Sequence, residues 1–264
     1  VTRTLALITG ASSGIGLAYA RALAADCDFV LVARRRDRLA DLADELRDAG
    51  AAGDVLPADL STRAGVAAVT ERLAAGDVRL LISNAGASGS GRLTETDPAD
   101  IDPFLTLNGV ATFELVRAAL PGMLVADEGT IITVASLLAF SAGQTDEHLR
   151  PRTLYAAAKA AIVAFTRTLT GELADTAIRT QVVCPGMVAT EFGGGTRRPT
   201  PFTMSAKGVV QASLAGLSLG ESICIPGLED QSAVLDLLVT AESALMFDGN
   251  RPVTATRYLQ SADS

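Results

Sequence analysis

The chain has 264 residues and a formal net charge of −8; 48% of it is hydrophobic but only 4% aromatic, with no tryptophan. That length suits one large α/β domain whose core is built mainly of Ala, Val, Leu and Ile. The acidic balance argues against a nucleic-acid partner and against an anionic membrane surface.

Apolar runs and helical stretches alternate along the chain. Leu5–Thr9 reads as a buried strand, followed by a glycine turn and a helix from about Gly14 to Ala25. Phe29–Ala33 is the second strand, and Asp37–Ala49 is an amphipathic helix with Leu39, Leu42 and Leu46 on one face. Val55–Pro57 is a short third strand, and Ala64–Ala74 the next helix. Strands at Leu80–Ser83, Thr130–Ala135 and Thr180–Cys184 follow, with long helices near Ile101–Met123 and Leu154–Leu173 between them. A helix from Ser205, a strand at Ile223-Cys224-Ile225 and a terminal helix near Gln231–Met246 complete the series. Strands alternating with helices imply a doubly wound parallel sheet, Rossmann-like, in a three-layer α/β/α sandwich. No linker or repeat divides the chain, so 1–264 is expected to be a single domain with a glycine- and proline-rich substrate lid around 187–204.

Cys27, Cys184 and Cys224 are far apart and lie in apolar stretches, and the chain has one histidine. No metal-ligand spacing is present, so no metal is expected, and the cysteines read as free thiols in a reducing compartment. No apolar segment approaches the ~20 residues of a membrane span, and Val1-Thr2-Arg3-Thr4 leads into a strand without a signal-peptide pattern. A cytoplasmic protein is expected.

The first turn, Gly10-Ala11-Ser12-Ser13-Gly14-Ile15-Gly16, joins a strand to a helix start. Glycines there let the backbone approach a pyrophosphate, which the helix amides and dipole favour. The spacing is G-x-x-x-G-x-G rather than the G-x-G-x-x-G dinucleotide fingerprint. Gly10–Gly14 also satisfies the G-x-S-x-G nucleophile elbow of hydrolases. That rival fails because His148 lies in a polar Asp- and Arg-containing stretch, and an elbow on the first strand leaves most of a hydrolase sheet unbuilt. After the second strand comes Arg34-Arg35-Arg36-Asp37-Arg38, where an acidic residue would suit NAD. A guanidinium suits the 2′-phosphate of NADP instead. Arg34 is the first choice for that role and Arg35 the second; Arg36 and Arg38 read as a solvated helix cap.

Tyr155 and Lys159 are four residues apart on a helix and therefore share a face. An ammonium beside a phenol should lower the tyrosine pKa, giving a group able to exchange a proton near neutrality, as alcohol–carbonyl interconversion requires. Ser136 lies upstream at a strand end and can donate a hydrogen bond to a carbonyl oxygen.

With these residues assembled, the chain closely resembles the short-chain dehydrogenase/reductase family over nearly its whole length. The matching motifs are Thr9-Gly10-x-x-x-Gly14-x-Gly16, Asp59-Leu60, Asn84-Ala85-Gly86, Asn108, Ser136, Tyr155-x-x-x-Lys159 and Pro185-Gly186-x-x-x-Thr190. The resemblance implies that NADP(H) lies along Gly10, Ser12, Ser13, Gly14, Ile15 and Gly16, with Asp59 and Leu60 at the adenine. Asn84, Ala85 and Gly86 would pass along the adenosine ribose, and Pro185, Gly186, Val188 and Thr190 would hold the nicotinamide. Ser136, Tyr155 and Lys159 would be catalytic, with Lys159 also binding the nicotinamide ribose, and Asn108 would hold a water linked to Lys159. The expected activity is NADPH-dependent reduction of a carbonyl to an alcohol. The alternatives are an NADP-linked alcohol dehydrogenase working in oxidation and a catalytically silent nucleotide-binding regulator. A small-molecule substrate and a homodimer or homotetramer, joined through the helices near 101–123 and 154–173, are implied as well.

Ser136 and Tyr155 are nineteen positions apart, longer than the family usually shows, and the extra chain lies within Ser141–Arg152. This stretch is expected to form a polar lip of the substrate pocket, with Leu137, Leu138, Met187 and Phe192 as pocket walls. Ser141 is the alternative catalytic serine, but Ser136 at the strand end suits the family context better. The ending after Ile225-Pro226-Gly227 resembles a bacterial subgroup of broad-specificity reductases.

Overall fold

Even and odd residues of the central strands face opposite sides, and both sides are apolar, so helices must cover both. The structure is a computed structural model and describes residues 3–89, 91–144, 151–192 and 200–259. The chain separates into two compact units, 1–226 and 227–264. In the first unit the elements run β1 (Thr4–Thr9), α1 (Gly14–Ala22), β2 (Cys27–Ala33), α2 (Arg36–Asp48), β3 (Gly53–Pro57), α3 (Arg63–Leu73) and β4 (Leu80–Ser83). They continue with α4 (Pro98–Leu105), a π-helical turn (Thr106–Val110), α5 (Ala111–Ala126), β5 (Gly129–Val134), α6 (Thr153–Glu172) and β6 (Ile178–Val183). β7 (Val188–Ala189), β8 (Met204–Ser205), α7 (Ala206–Ser218) and β9 (Ile223–Cys224) follow.

Seven strands form one parallel sheet in the order β3-β2-β1-β4-β5-β6-β9, and β7 and β8 form a separate two-stranded parallel pair. The doubly wound reading is therefore correct. Ala6, Ile8, Phe29, Leu31 and Ile82 pack with Tyr19 and Ala20 of α1, Leu39, Leu42 and Leu46 of α2, and Val209 and Val210 of α7. The intervening residues Leu7, Val30, Val32, Leu81 and Ile131 face the other way. They meet Val66, Val69 and Leu73 of α3, Leu115, Val116, Ala119 and Met123 of α5, Leu169 of α6 and Leu173 at its C-cap. Burial of each such Val, Leu or Ile side chain stabilises the fold by ~1.5–3 kcal/mol.

Two buried hydroxyl pairs fix the helices that carry the site. Ser83 Oγ and Thr112 Oγ1 meet at 3.0 Å and tie α5 to β4; Thr133 Oγ1 and Thr166 Oγ1 meet at 2.8 Å and tie α6 to β5. Each hydroxyl is satisfied in an apolar layer where an unpaired one would be costly.

The long helix expected near 101–123 is interrupted. Around Thr106–Val110 the backbone widens, and the Ala111 amide bonds to the Thr106 carbonyl. π-helical turns concentrate at functional sites, and this one carries Asn108, which is fully buried. The whole run Pro98–Ala126 is 29 residues long and, by length and composition, apolar enough to cross a membrane. Here the sequence expectation fails on length. The run instead lays Leu115, Val116, Ala119 and Met123 onto the sheet as a core helix.

The second unit contains α8 (Gln231–Gly249), capped where the Asp230 carboxylate accepts from the Ala233 amide at 3.2 Å, and a short 3₁₀ turn at Thr256–Tyr258. The helix expected at Gln231–Met246 is thus present.

Candidate active site

A strand order that reverses between β1 and β4 leaves a crevice at their carboxyl ends, because the connections leave in opposite directions. The Thr9 hydroxyl accepts from the amides of Asn84 and Ala85, both at 2.9 Å, and the Asn84 side-chain amide donates to the Thr9 carbonyl at 2.8 Å. These bonds join the glycine turn to the end of β4. Gly14 adopts φ +59, and a Cβ there would lie 3.1 Å from Thr190 Cγ2. Only a glycine lets the turn and the loop after β7 approach so closely without strain.

The resulting cleft is about 1110 Å³. Its lining includes Gly10, Ser12, Ser13, Gly14 and Ile15 from the first turn, and Arg34, Arg35, Asp59 and Leu60 at one end. Asn84, Ala85 and Gly86 form its floor, and Ser136, Tyr155, Lys159, Pro185, Gly186, Val188 and Thr190 its other end. Gly16 and Asn108 stand behind this lining. The sites expected from sequence therefore converge on one cleft. Leu137, Leu138, Met187 and Phe192 line it as expected, whereas Ser141 donates its hydroxyl to the Leu138 carbonyl at 2.8 Å and is not part of the wall. His148 and residues 193–199 of the expected lid lie outside the described residues.

Tyr155 and Lys159 lie one turn apart on α6, both buried. Tyr155 sits between the rings of Phe104 and Phe192, with centroids 6.5 and 6.1 Å away. The expectation that its pKa falls because of Lys159 is not met. Burial raises it, and the opposing influences are a hydrogen bond with Ser136 and the charge of Arg152. The Lys159 amine lies 5.8 Å from the phenol ring centroid and donates to the Val134 carbonyl at 3.0 Å. Its own burial drives its pKa down to about 8, and the influences that oppose the rise at Tyr155 come from Ser136 and Arg152 instead.

Ser136 Oγ accepts from the Leu138 amide at 3.2 Å, which leaves its proton to donate. Asn108 is fixed at both ends of its amide. Its oxygen accepts from the Ala87 amide at 3.1 Å, and its nitrogen donates to the Phe104 carbonyl at 3.0 Å. Gly86 separates Asn108 from Lys159: a Cβ there would meet Asn108 Oδ1 at 3.0 Å and Lys159 Nζ at 3.5 Å. Asn108 thus holds the loop after β4 against the Lys159 pocket.

At the opposite end, Arg35 rather than Arg34 reaches the glycine turn. Its guanidinium donates to Ser12 Oγ at 3.2 and 3.0 Å and to Ser13 Oγ at 2.9 Å. Arg34 stays near Asp59. Burial pushes the Asp59 carboxyl up, but two bonds from Ser61 and the charge of Arg34 together hold it below the ordinary range. Arg38 is not a simple solvated cap, because it pairs with Glu191 at 2.7 Å. The sequence reading missed Glu191, Phe104 and the charge role of Arg152. Glu191 directly follows Thr190 and Arg152 lies one turn before Tyr155, so adjacency to motif residues was the available signal. Phe104 offers no comparable signal.

A family model described as short chain dehydrogenase matches residues 4–200. The chain is 30% identical over 226 residues to the ketoacyl reductase HetN of Nostoc, covering 84% of this chain and 73% of that protein. Among solved structures, a short-chain dehydrogenase from Sphingobium yanoikuyae in complex with NADPH superposes with a TM-score of 0.88 at 35% identity. That match covers 97% of this chain and 100% of the other. A bulky-bulky ketone specific alcohol dehydrogenase from Comamonas testosteroni gives a TM-score of 0.87 at 31% identity, covering 98% of this chain and 100% of the other. The fold, the cleft and these likenesses make the chain a member of the short-chain dehydrogenase/reductase family. It is an oxidoreductase of that family.

The Lys159 environment gives a pH test. Its folded pKa of about 8 lies below the ordinary 10.5, so between those values the unfolded chain binds more protons and the Lys159 contribution to stability rises with pH. Denaturation midpoints of wild type and Lys159→Met, compared from pH 7 to 10.5, should show the wild type gaining relative to the variant. Parallel curves would contradict the assignment.

Proposed function

We propose that this protein reduces a ketone or aldehyde with NADPH, using Tyr155 as the proton donor. The observation that carries this reading is the buried Tyr155, whose pKa Ser136 lowers, one turn from Lys159 and in a cleft that Ser136 also lines and whose far end carries Arg34 and Arg35.

The lining suits a 2′-phosphorylated dinucleotide. The first turn of α1 holds no acidic residue, and its N-cap Ser13 makes no side-chain capping bond, so those amides are free to meet a pyrophosphate. Arg34 and Arg35 flank the end of β2 where the adenosine ribose would lie, and either can pair with a 2′-phosphate. Asp59 and Leu60 would bound the adenine, Asn84, Ala85 and Gly86 the ribose, and Pro185, Gly186, Val188 and Thr190 the nicotinamide. NADPH in the structure of the Sphingobium yanoikuyae relative supports the same cofactor here.

Nicotinamide supplies the hydride when bound. That hydride would go to the carbonyl carbon, and the chain's own residues manage the oxygen, which takes up the negative charge and then a proton. Ser136 Oγ donates to that oxygen as negative charge develops, and Tyr155 gives it a proton. Arg152 favours the phenolate left behind, and Lys159 orients the nicotinamide ribose. In oxidation the same groups act in reverse. Phe104 and Phe192 flank the phenol, and Leu137 and Met187, 43% and 51% exposed, line the same cleft, so the substrate's carbonyl would carry apolar substituents. Likeness to an alcohol dehydrogenase specific for bulky-bulky ketones agrees with that choice.

Association into a dimer or tetramer through α5 and α6 belongs to the same proposal. Phe113 and Phe165 join the two helices with ring centroids 4.6 Å apart, and Ala157, Ala161 and Ala164 are exposed along α6. Light scattering should give a multiple of 27.1 kDa; a monomer mass would overturn that part.

Tyr155→Phe should lower turnover of an apolar ketone by at least ~100-fold while leaving the NADPH dissociation constant within about two-fold. Turnover near wild type would refute the proton-donor role.

A further inference from the structure

Four of the five N–H groups of the Arg35 guanidinium donate to protein partners. Nε and Nη2 donate to Ser12 Oγ at 3.2 and 3.0 Å, Nη2 also donates to Ser13 Oγ at 2.9 Å, and Nη1 donates to Glu191 Oε2 at 2.9 Å. Glu191 is shared, because Arg38 Nη1 donates to its two oxygens at 2.9 and 2.7 Å. The carboxylate therefore lies between two guanidiniums, an arrangement that a phosphate also favours. Glu191 belongs to the loop after β7, on the opposite wall of the cleft from Arg35, and both side chains line the cleft. Arg35 thus bridges the glycine turn to the loop that would hold the nicotinamide.

The pairs are exchangeable. Glu191 is 41% exposed, Arg35 43% and Arg38 47%, and ion pairs so open to water contribute little net stability. A phosphate monoester carries up to two negative charges and three acceptor oxygens, against one charge on a carboxylate. It can therefore displace Glu191 from Arg35, at a cost that a cofactor without the 2′-phosphate never meets.

We propose that Glu191 is an internal competitor for the 2′-phosphate: it occupies Arg35 until NADPH displaces it, and so narrows the margin by which NADPH is preferred over NADH. This rests on the NADP(H) reading of the cleft. It makes Glu191 a specificity-determining residue that no sequence motif singles out, acting through Arg35 with Arg38 as its second anchor. NADH has no group that calls on Arg35 and leaves the Glu191 pair in place.

The test is the dissociation constants of NADPH and NADH, by fluorescence titration at one ionic strength, for wild type and Glu191→Gln. The substitution removes the charge and keeps the shape on an exposed side chain. Wild type should prefer NADPH, and Glu191→Gln should bind NADPH about three-fold more tightly with NADH unchanged. Unchanged or weaker NADPH binding in the variant, or equal tightening of both cofactors, would overturn the competitor role while a wild-type preference for NADPH left the cofactor reading standing. If wild type shows no preference, the variant decides both readings. A preference appearing only in Glu191→Gln would then still support masking by Glu191, and no preference in either protein would overturn both.

Discussion

Three hydrogen bonds between Thr9 and the Asn84-Ala85 segment set the geometry on which the site depends. They join the ends of β1 and β4, where the sheet order reverses, so the glycine turn and the floor of the cleft move as one piece. The Thr9 hydroxyl is wholly buried, and no water could take over its two amide partners without a cavity. From this clasp the floor continues through Gly86 to Asn108 and Lys159, whose close approach leaves no space for a larger residue at position 86. One set of local contacts thus links the adenosine end to the catalytic end.

At the catalytic end, burial is the dominant electrostatic effect. It raises the pKa of the Tyr155 phenol and lowers that of the Lys159 amine, so both neutral forms are favoured together. Neutral tyrosine is the form needed to donate a proton in reduction, and Ser136 and Arg152 keep its pKa from rising further. Burial also pushes the thiols of Cys184, which neighbours Lys159, and of Cys224 in the core up to about 12 and about 11, which keeps both protonated and unreactive.

The parts of the fold legible in the sequence were those with local causes. The apolar runs Leu5–Thr9 and Phe29–Ala33, the leucine stripe of α2 and the glycine turn each announce their own conformation, and the ordered motifs brought Ser136, Tyr155 and Asn84 to the same cleft. What was not legible depends on distant partners. The π-helical turn has no compositional mark, since it follows from how Asn108 is held by Ala87 and Phe104. The Tyr155 pKa was misjudged because spacing gives the proximity of Lys159 but not the burial of the phenol, which raises its pKa. Arg35 and Glu191 are 156 positions apart, so their pairing exists only once the loop after β7 closes on the glycine turn.

A crystal structure with NADPH bound tests the central claim most directly, because it reports both ends of the cleft at once. The account predicts the adenosine 2′-phosphate at the Arg34-Arg35 end and the nicotinamide ring beside Tyr155, with the Lys159 amine at the adjoining ribose. A cofactor bound in the reverse direction, or a nicotinamide ring remote from the Tyr155 hydroxyl, would contradict it.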